Sequence, residues 1–163
     1  MRILVMSDCH GSKRAVETVL SRHDDINNVF YLGDGVEDFL KVTEFFKNKN
    51  YYVVSGNCDW NSMYPTYGEA VLDGVRVIYT HGHRYDVKYG TEKLYEIAKN
   101  CKAQLVLYGH THIADTTYRD GVYLVNPGAL GVARDGKEGY AIVDISEKGI
   151  VPSLMKLSKK CCD

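Results

Sequence analysis

Five short apolar runs in this chain end in the same way, and that repetition narrows the folds open to it. Ile3-Leu4-Val5-Met6 runs into Ser7-Asp8-Cys9-His10-Gly11. Val29-Phe30-Tyr31-Leu32 runs into Gly33-Asp34, and Tyr51-Tyr52-Val53-Val54 leads to Gly56-Asn57-Cys58-Asp59. Val75-Arg76-Val77-Ile78-Tyr79 runs into Thr80-His81-Gly82-His83. Gln104-Leu105-Val106-Leu107-Tyr108 runs into Gly109-His110-Thr111-His112. Near-continuous apolar runs of this length are what a strand covered on both faces requires. A fold that buries several such strands needs layers on both sides of a sheet.

The segments between the runs say how the layers connect. Ser12 is placed to cap a helix carrying Ala15, Val16, Val19 and Leu20 on one face. Val36, Phe39, Leu40, Val42 and Phe45 mark a second helix. The first third therefore reads β-α-β-α-β, which predicts parallel strands with right-handed crossovers. Further on, Asp73-Gly74 is a hairpin turn between Ala70-Val71-Leu72 and the fourth run. A helix is predicted from about Thr91 to Asn100, and hairpins at Arg119-Asp120-Gly121 and Glu147-Lys148-Gly149. The expected fold is α/β, with two packed mixed β-sheets flanked by helices. It is expected to form one domain over residues 1–163, with 158–163 as a frayed tail.

Charge and cysteine content exclude several functions. The formal net charge is -1, with Lys and Arg spread along the chain, which speaks against long nucleic acid as a partner. No apolar run approaches the 18 residues of a membrane span, so no membrane partner is expected. The N-terminal apolar run is too short for a signal peptide. Five cysteines, an odd number with no C-x-x-C pair, point to reduced thiols in a cytoplasmic protein and away from a structural zinc knot. A homo-oligomer is left open.

In α/β sheets ligands bind beyond the carboxyl ends of the strands. The five polar run-ends can therefore share one rim, and they bring carboxylates, an amide and imidazoles to it. That donor mixture suits borderline divalent ions such as Mn, Fe, Ni or Zn. Seven donors exceed one four-coordinate zinc and match two ions sharing a carboxylate, roughly 3.5–4 Å apart. Taken singly the motifs are weak: Asp34 alone reads first as a turn residue, and His110-Thr111-His112 alone reads equally as a structural pair. Their recurrence at five strand ends is what favours a metal site. Gly33, Gly56, Gly82 and Gly109 are expected to let the backbone turn sharply beside the ligands.

In this order the motifs resemble those of the calcineurin-like metallophosphoesterase superfamily. The matching residues are Asp8-Cys9-His10, Gly33-Asp34, Gly56-Asn57-Cys58-Asp59, His81-Gly82-His83 and Gly109-His110-Thr111-His112. Asn126-Pro127-Gly128 resembles the small single-domain phosphodiesterase branch, the YfcE-like proteins. The resemblance implies an αββα sandwich. It implies that Asp8, His10 and His112 hold one ion, that Asn57, His81 and His110 hold a second, and that Asp34 bridges them. Manganese is the expected metal, with Ni, Fe and Zn as alternatives. The implied reaction is hydrolysis of small phosphodiesters by a hydroxide held between the ions, with Asp34, Asn57 and His81 catalytic through it. His83 is expected in substrate contact or behind the ligands. Cys58 stands where longer family members carry His; it is either a weak proton donor or a buried packing residue. Tyr64, Tyr67 and Tyr85 are placed near the rim, either to stack on substrate or as ordinary surface residues, the second being the preferred reading. His23 is expected on the surface. The rival functions are a phosphomonoesterase and a non-catalytic scaffold, as in the retromer subunit of this fold.

Overall fold

The computed structural model describes residues 1–157. The tail expected to fray, 158–163, lies outside the described residues, with Cys161 and Cys162. Ten strands and three helices follow one another as β1 (Arg2–Met6), α1 (Lys13–Arg22), β2 (Asn28–Tyr31), α2 (Val36–Thr43), β3 (Asn50–Val53), β4 (Tyr67–Leu72), β5 (Val75–Thr80), α3 (Glu92–Cys101), β6 (Leu105–Tyr108), β7 (Ala114–Arg119), β8 (Val122–Pro127), β9 (Gly139–Ser146) and β10 (Gly149–Lys156). A single 3-10 turn, His83–Tyr85, follows β5.

Two five-stranded sheets form, in the orders β10-β9-β1-β2-β3 and β4-β5-β6-β8-β7. In the first, β1, β2 and β3 are parallel and β9 and β10 antiparallel. In the second, β5, β6 and β8 are parallel, with β4 and β7 antiparallel at the edges. The sheets are mixed and packed, as the strand count requires.

The period-two geometry of a strand explains why β1 is apolar throughout. Ile3 and Val5 face the second sheet, in a core shared with Phe30, Val77, Leu105, Leu107 and Val143. Leu4 and Met6 face the other way, into a core built with Val16, Leu20 and Phe39 of α1 and α2. A third core sits under α3, where Leu94 and Ala98 cover Ile78, Val106 and Leu124. The order of layers is helices, sheet, sheet, helix. Among the described residues no helix is long and apolar enough to cross a membrane.

The local signals held where turn chemistry is strict. Asp73 and Gly74 both take positive φ, as does the pair Asp120 and Gly121, which fits two-residue turns of the hairpin type. Three expectations fail. Phe45 does not extend the buried face of α2: the helix ends at Thr43, and Phe45 is 84% exposed while Phe46 packs onto the core. The turn bonds from Phe45 to Val42 and from Phe46 to Thr43 tighten the end and rotate the face by one residue. Ser12 occupies the N-cap position of α1 but makes no side-chain capping bond. His23, at the C-cap of α1, is half-buried rather than free on the surface, its Nε2 2.8 Å from the Tyr140 hydroxyl.

Phe30 lies at the centre of the inter-sheet core, stacked on Tyr52 at 4.5 Å and edge-on to Tyr79 at 5.1 Å. Phe30→Ala should cost about 3–5 kcal/mol of folding stability, read as a lowered denaturant midpoint with an unchanged slope.

Candidate metal centre

The carboxyl ends of β1, β2, β3, β5 and β6 meet at one rim. The chain leaves β1 at Ser7 and Asp8, passes His10, and enters α1. It leaves β2 into Asp34, β3 into Asn57, β5 into His81, and β6 into His110 and His112. Backbone bonds lock these exits together: Asp8 N–H donates to the Gly33 carbonyl at 2.9 Å, and Gly109 N–H to the His81 carbonyl at 3.0 Å.

The side chains fall into two groups. Asp8, His10, Asp34 and His112 bring one donor atom each within 4.8 Å of the others, and Asp34, His81 and His110 do the same. Asp34 belongs to both. Its Oδ2 lies 3.8 Å from His10 Nε2 and 3.5 Å from His81 Nε2. Asn57 Oδ1 lies 3.2 Å from His81 Nε2, which puts the amide oxygen in the second group. All seven residues singled out as ligands therefore lie at this rim.

The donor chemistry fits cations. Asp8 and Asp34 are almost fully buried, at 0% and 2% exposure. Among the described residues, their ion-pair partners are all imidazoles. The Nδ1–H of His81 donates to the Leu32 carbonyl at 2.7 Å, and that of His112 to the Val132 carbonyl. This leaves Nε2 of both rings pointing inward. His81 Nε2 faces His110 Nδ1 at 3.2 Å, and His112 Nε2 faces His10 Nε2 at 3.2 Å. Two ring nitrogens at that distance need a proton or a metal ion between them. Asp8 Oδ1 is buried without a hydrogen-bond partner, 3.1 Å from His112 Nε2. One divalent cation in each group would satisfy these atoms together.

The same surroundings favour a proton on two of the rings and disfavour it on a third. Burial disfavours the charged form of His81, but the hydrogen bond to Asp34 and the charges of Asp8 and Asp34 prevail and raise its pKa. The close approach of the Asp8 carboxylate raises that of His112 against burial. His110 goes the other way, down to about 4, through burial and then the neighbouring His81 charge. Burial also opposes ionisation of Asp34; hydrogen bonds from His81 and Cys58 and the His81 charge hold its carboxyl well below the usual range.

Two glycines have a different part from the one expected of them. Gly56 and Gly109 do not adopt the left-handed conformation. They leave room instead: a Cβ on Gly56 would lie 2.1 Å from Asp34 Oδ1, and one on Gly109 would lie 2.9 Å from Asp8 Oδ2. The left-handed backbone is taken up by the ligands themselves, Asp8, His10, Asp34, His110 and His112, all at positive φ.

His83 sits behind the second group, its ring centroid 5.4 Å from His81 and 6.1 Å from His110, with a buried, unpartnered Nδ1. Burial, then the His81 charge, lowers its pKa. Cys58 is exposed, so the packing alternative for it fails. Its backbone N–H donates to Asp34 Oδ1 at 2.8 Å, and Asn57 Nδ2 approaches its Sγ at 3.3 Å. Desolvation, then Asp34, pushes the thiol up to about 11, so it stays protonated at neutral pH. Of the three tyrosines, only Tyr64 lines a cleft next to the centre. Tyr67 and Tyr85 pack on the core under α3.

Sequence reasoning missed two residues that hold the loops in place. Asp59 accepts four backbone N–H bonds at 2.7–2.9 Å, from Asp34, Gly35, Val36 and Gly56. It clamps the Asp34 turn to the Asn57 loop and caps α2 from outside the helix. Tyr31, read only as part of an apolar run, donates its buried hydroxyl to the Asp34 carbonyl at 3.0 Å and receives the Cys9 N–H at 3.3 Å. An acid directly after a motif is a faint signal for the first; nothing in the run marks the second.

A family model for the calcineurin-like phosphoesterase superfamily domain matches residues 1–148. The chain belongs to that superfamily. A solved predicted phosphoesterase from Streptococcus pneumoniae TIGR4 superposes with a TM-score of 0.79 at 31% identity, covering 90% of this chain and 83% of that one. Phosphodiesterase YfcE of Escherichia coli K12 is 27% identical over 168 residues, 88% of each chain. The vacuolar protein sorting-associated protein 29 of Schizosaccharomyces pombe is 29% identical over 162 residues, 95% of this chain and 83% of that one. Superfamily membership carries the expectation of divalent metal and phosphoester chemistry. The last relative shows that the same fold also occurs in a sorting protein.

If the Asp59 carboxylate fixes the rim, Asp59→Ala should lose about 2–3 kcal/mol of stability. It should also speed amide exchange at Asp34, Gly35, Val36 and Gly56 selectively, with Asp59→Asn intermediate.

Proposed function

We propose that this chain is a dinuclear metal-dependent phosphodiesterase acting on small phosphodiesters. The observation that carries the reading is the shared position of Asp34, whose Oδ2 is within reach of both ligand groups. Asp8, His10 and His112 would hold one divalent ion, Asn57, His81 and His110 a second, and Asp34 both. Manganese is the first ion to test, with Ni, Fe and Zn compatible with the same donors. Such ions, when bound, would neutralise phosphate charge and acidify water as the source of the nucleophile.

The chain's own residues supply placement. The Leu32 and Val132 carbonyls hold the His81 and His112 rings in one tautomer, with Nε2 inward. The Cys58 N–H fixes the Asp34 carboxylate through Oδ1 and leaves Oδ2 for sharing. His83, neutral near pH 7, can offer a ring N–H to a substrate oxygen. Cys58 offers a neutral S–H, a weak donor that cannot supply a cationic imidazolium. That favours esters whose departing oxygen needs little protonation, and a diester, which carries less charge, over a monoester. The similarity to a phosphodiesterase supports the same preference. The similarity to a sorting protein keeps a scaffold as the second reading.

The test is to strip the protein with chelator and assay bis-p-nitrophenyl phosphate and p-nitrophenyl phosphate with Mn, Ni, Zn or Mg restored. Diester turnover should return with Mn or Ni and exceed monoester turnover. Asp34→Asn should lose more than about a hundredfold in rate and bind metal less tightly, since even residues behind the ligands are worth 10–100-fold. Monoester turnover in excess would make the chain a phosphomonoesterase. No turnover with any ion would leave the scaffold.

A further inference from the structure

Beside the metal centre a cleft of about 610 Å³ opens at His10 and Cys58 and runs between α2 and the loop 58–64. We propose that this cleft receives a neutral aromatic substituent of the phosphodiester, against Trp60, Met63 and Tyr64 of the loop and Val36 and Leu40 of α2. The inference rests on the phosphodiesterase reading above and adds the class of substrate.

Continuity is the first argument. His10 belongs to one ligand group, and Cys58 adjoins Asn57, so a phosphate held at the centre would direct an ester group into this cleft. The second argument is the surface itself. Trp60 is 86% exposed and Met63 97%, and both line the cleft. Large apolar side chains left to water around one cleft next to the candidate centre mark a contact surface for an apolar group. Trp and Met supply the flat and polarizable faces that stack on aromatic rings.

The loop is held at both ends. Asp59 binds four backbone N–H groups at its start. At its end, Ser55 Oγ–H donates to the Tyr64 carbonyl at 2.8 Å and Ser55 N–H to the Pro65 carbonyl at 2.8 Å. Trp60 and Met63 are therefore presented by a fixed segment, which lowers the cost of ordering them around a ligand.

Charge selects a neutral substituent. Asp59 takes the Val36 N–H that opens α2 and the Gly35 N–H before it, so neither is open to an anion. Glu37 and Asp38 line it and would repel negative charge. Their own partners, Lys41 and Lys13, reduce their pull on a cation. A separate hollow of about 270 Å³, lined in part by Thr111, carries Lys88 and Arg134 against the one carboxylate Asp115, and its balance of charge makes it the better place for an anionic group.

Trp60 is the one tryptophan of the chain, so its fluorescence reports on this cleft without reference to turnover. The zinc-loaded full chain is titrated with diphenyl phosphate and with diethyl phosphate. Diphenyl phosphate should change Trp60 emission saturably, at a concentration at least about tenfold lower than any effect of diethyl phosphate. Tyr64→Ala should weaken that response several-fold. In turnover assays Trp60→Ala should raise the inhibition constant of diphenyl phosphate about tenfold and leave that of diethyl phosphate unchanged. Unchanged emission at high diphenyl phosphate, with metal-dependent turnover intact, would overturn the cleft inference and leave the phosphodiesterase standing. Selective quenching without turnover under any ion would support the cleft and sink the enzyme. Neither quenching nor turnover would remove both and assign the Trp60 and Met63 rim to a protein contact.

Discussion

Two buried carboxylates, Asp8 and Asp34, set the terms for the rest of this molecule. Ionised groups removed from water need partners of opposite charge or dense hydrogen bonding. The described chain brings them hydrogen bonds from Ser7, from the His110 and Cys58 backbone, and imidazoles, with no lysine or arginine among their ion-pair partners. Crowding four imidazoles around two carboxylates is unfavourable unless positive charge sits among them. Protons on His81 and His112 do this partly. Divalent cations would do it fully, and that competition links metal affinity to proton release.

The architecture exists in a form that can hold such a group because both sheets have parallel centres. Parallel strands send every carboxyl end to the same side, so β1, β2 and β3 from one sheet and β5 and β6 from the other feed one rim. The stack keeps its relative position through the hydrocarbon layer around Phe30, Val77 and Leu107. It is also tied at the rim itself, where His81 from the β5 exit bonds Leu32 at the β2 exit. His81 is thus also a cross-link between sheets, so the geometry of the candidate site and sheet registration are the same constraint there.

Much of this was legible from the residues. Uninterrupted apolar runs announced strands buried on both sides, and Asp-Gly pairs announced their hairpins, because these signals are local and steric. The division of ligands into two groups was not readable from spacing; it came through family resemblance, since it depends on how two sheets stack. Phe45 misled because its spacing continues a helix that a tight terminal turn ends early. Tyr31 and Asp59 escaped notice for a related reason. Their partners lie 3 to 25 residues away along the chain and become neighbours only when the loops fold back, so a hydroxyl inside an apolar run and an acid after a motif look unremarkable. Cys58 stays on the surface even though its backbone N–H binds Asp34 and its thiol feels that carboxylate.

The left-handed backbone at Asp8, His10, Asp34, His110 and His112 has an evolutionary side. Glycine would relax each of those positions, and strain of this kind costs of order 1 kcal/mol or more per residue. Selection for heat resistance alone would therefore tend to erase these side chains one by one and yield sturdier, inert descendants. A side chain at all five therefore costs stability that some requirement other than durability must offset.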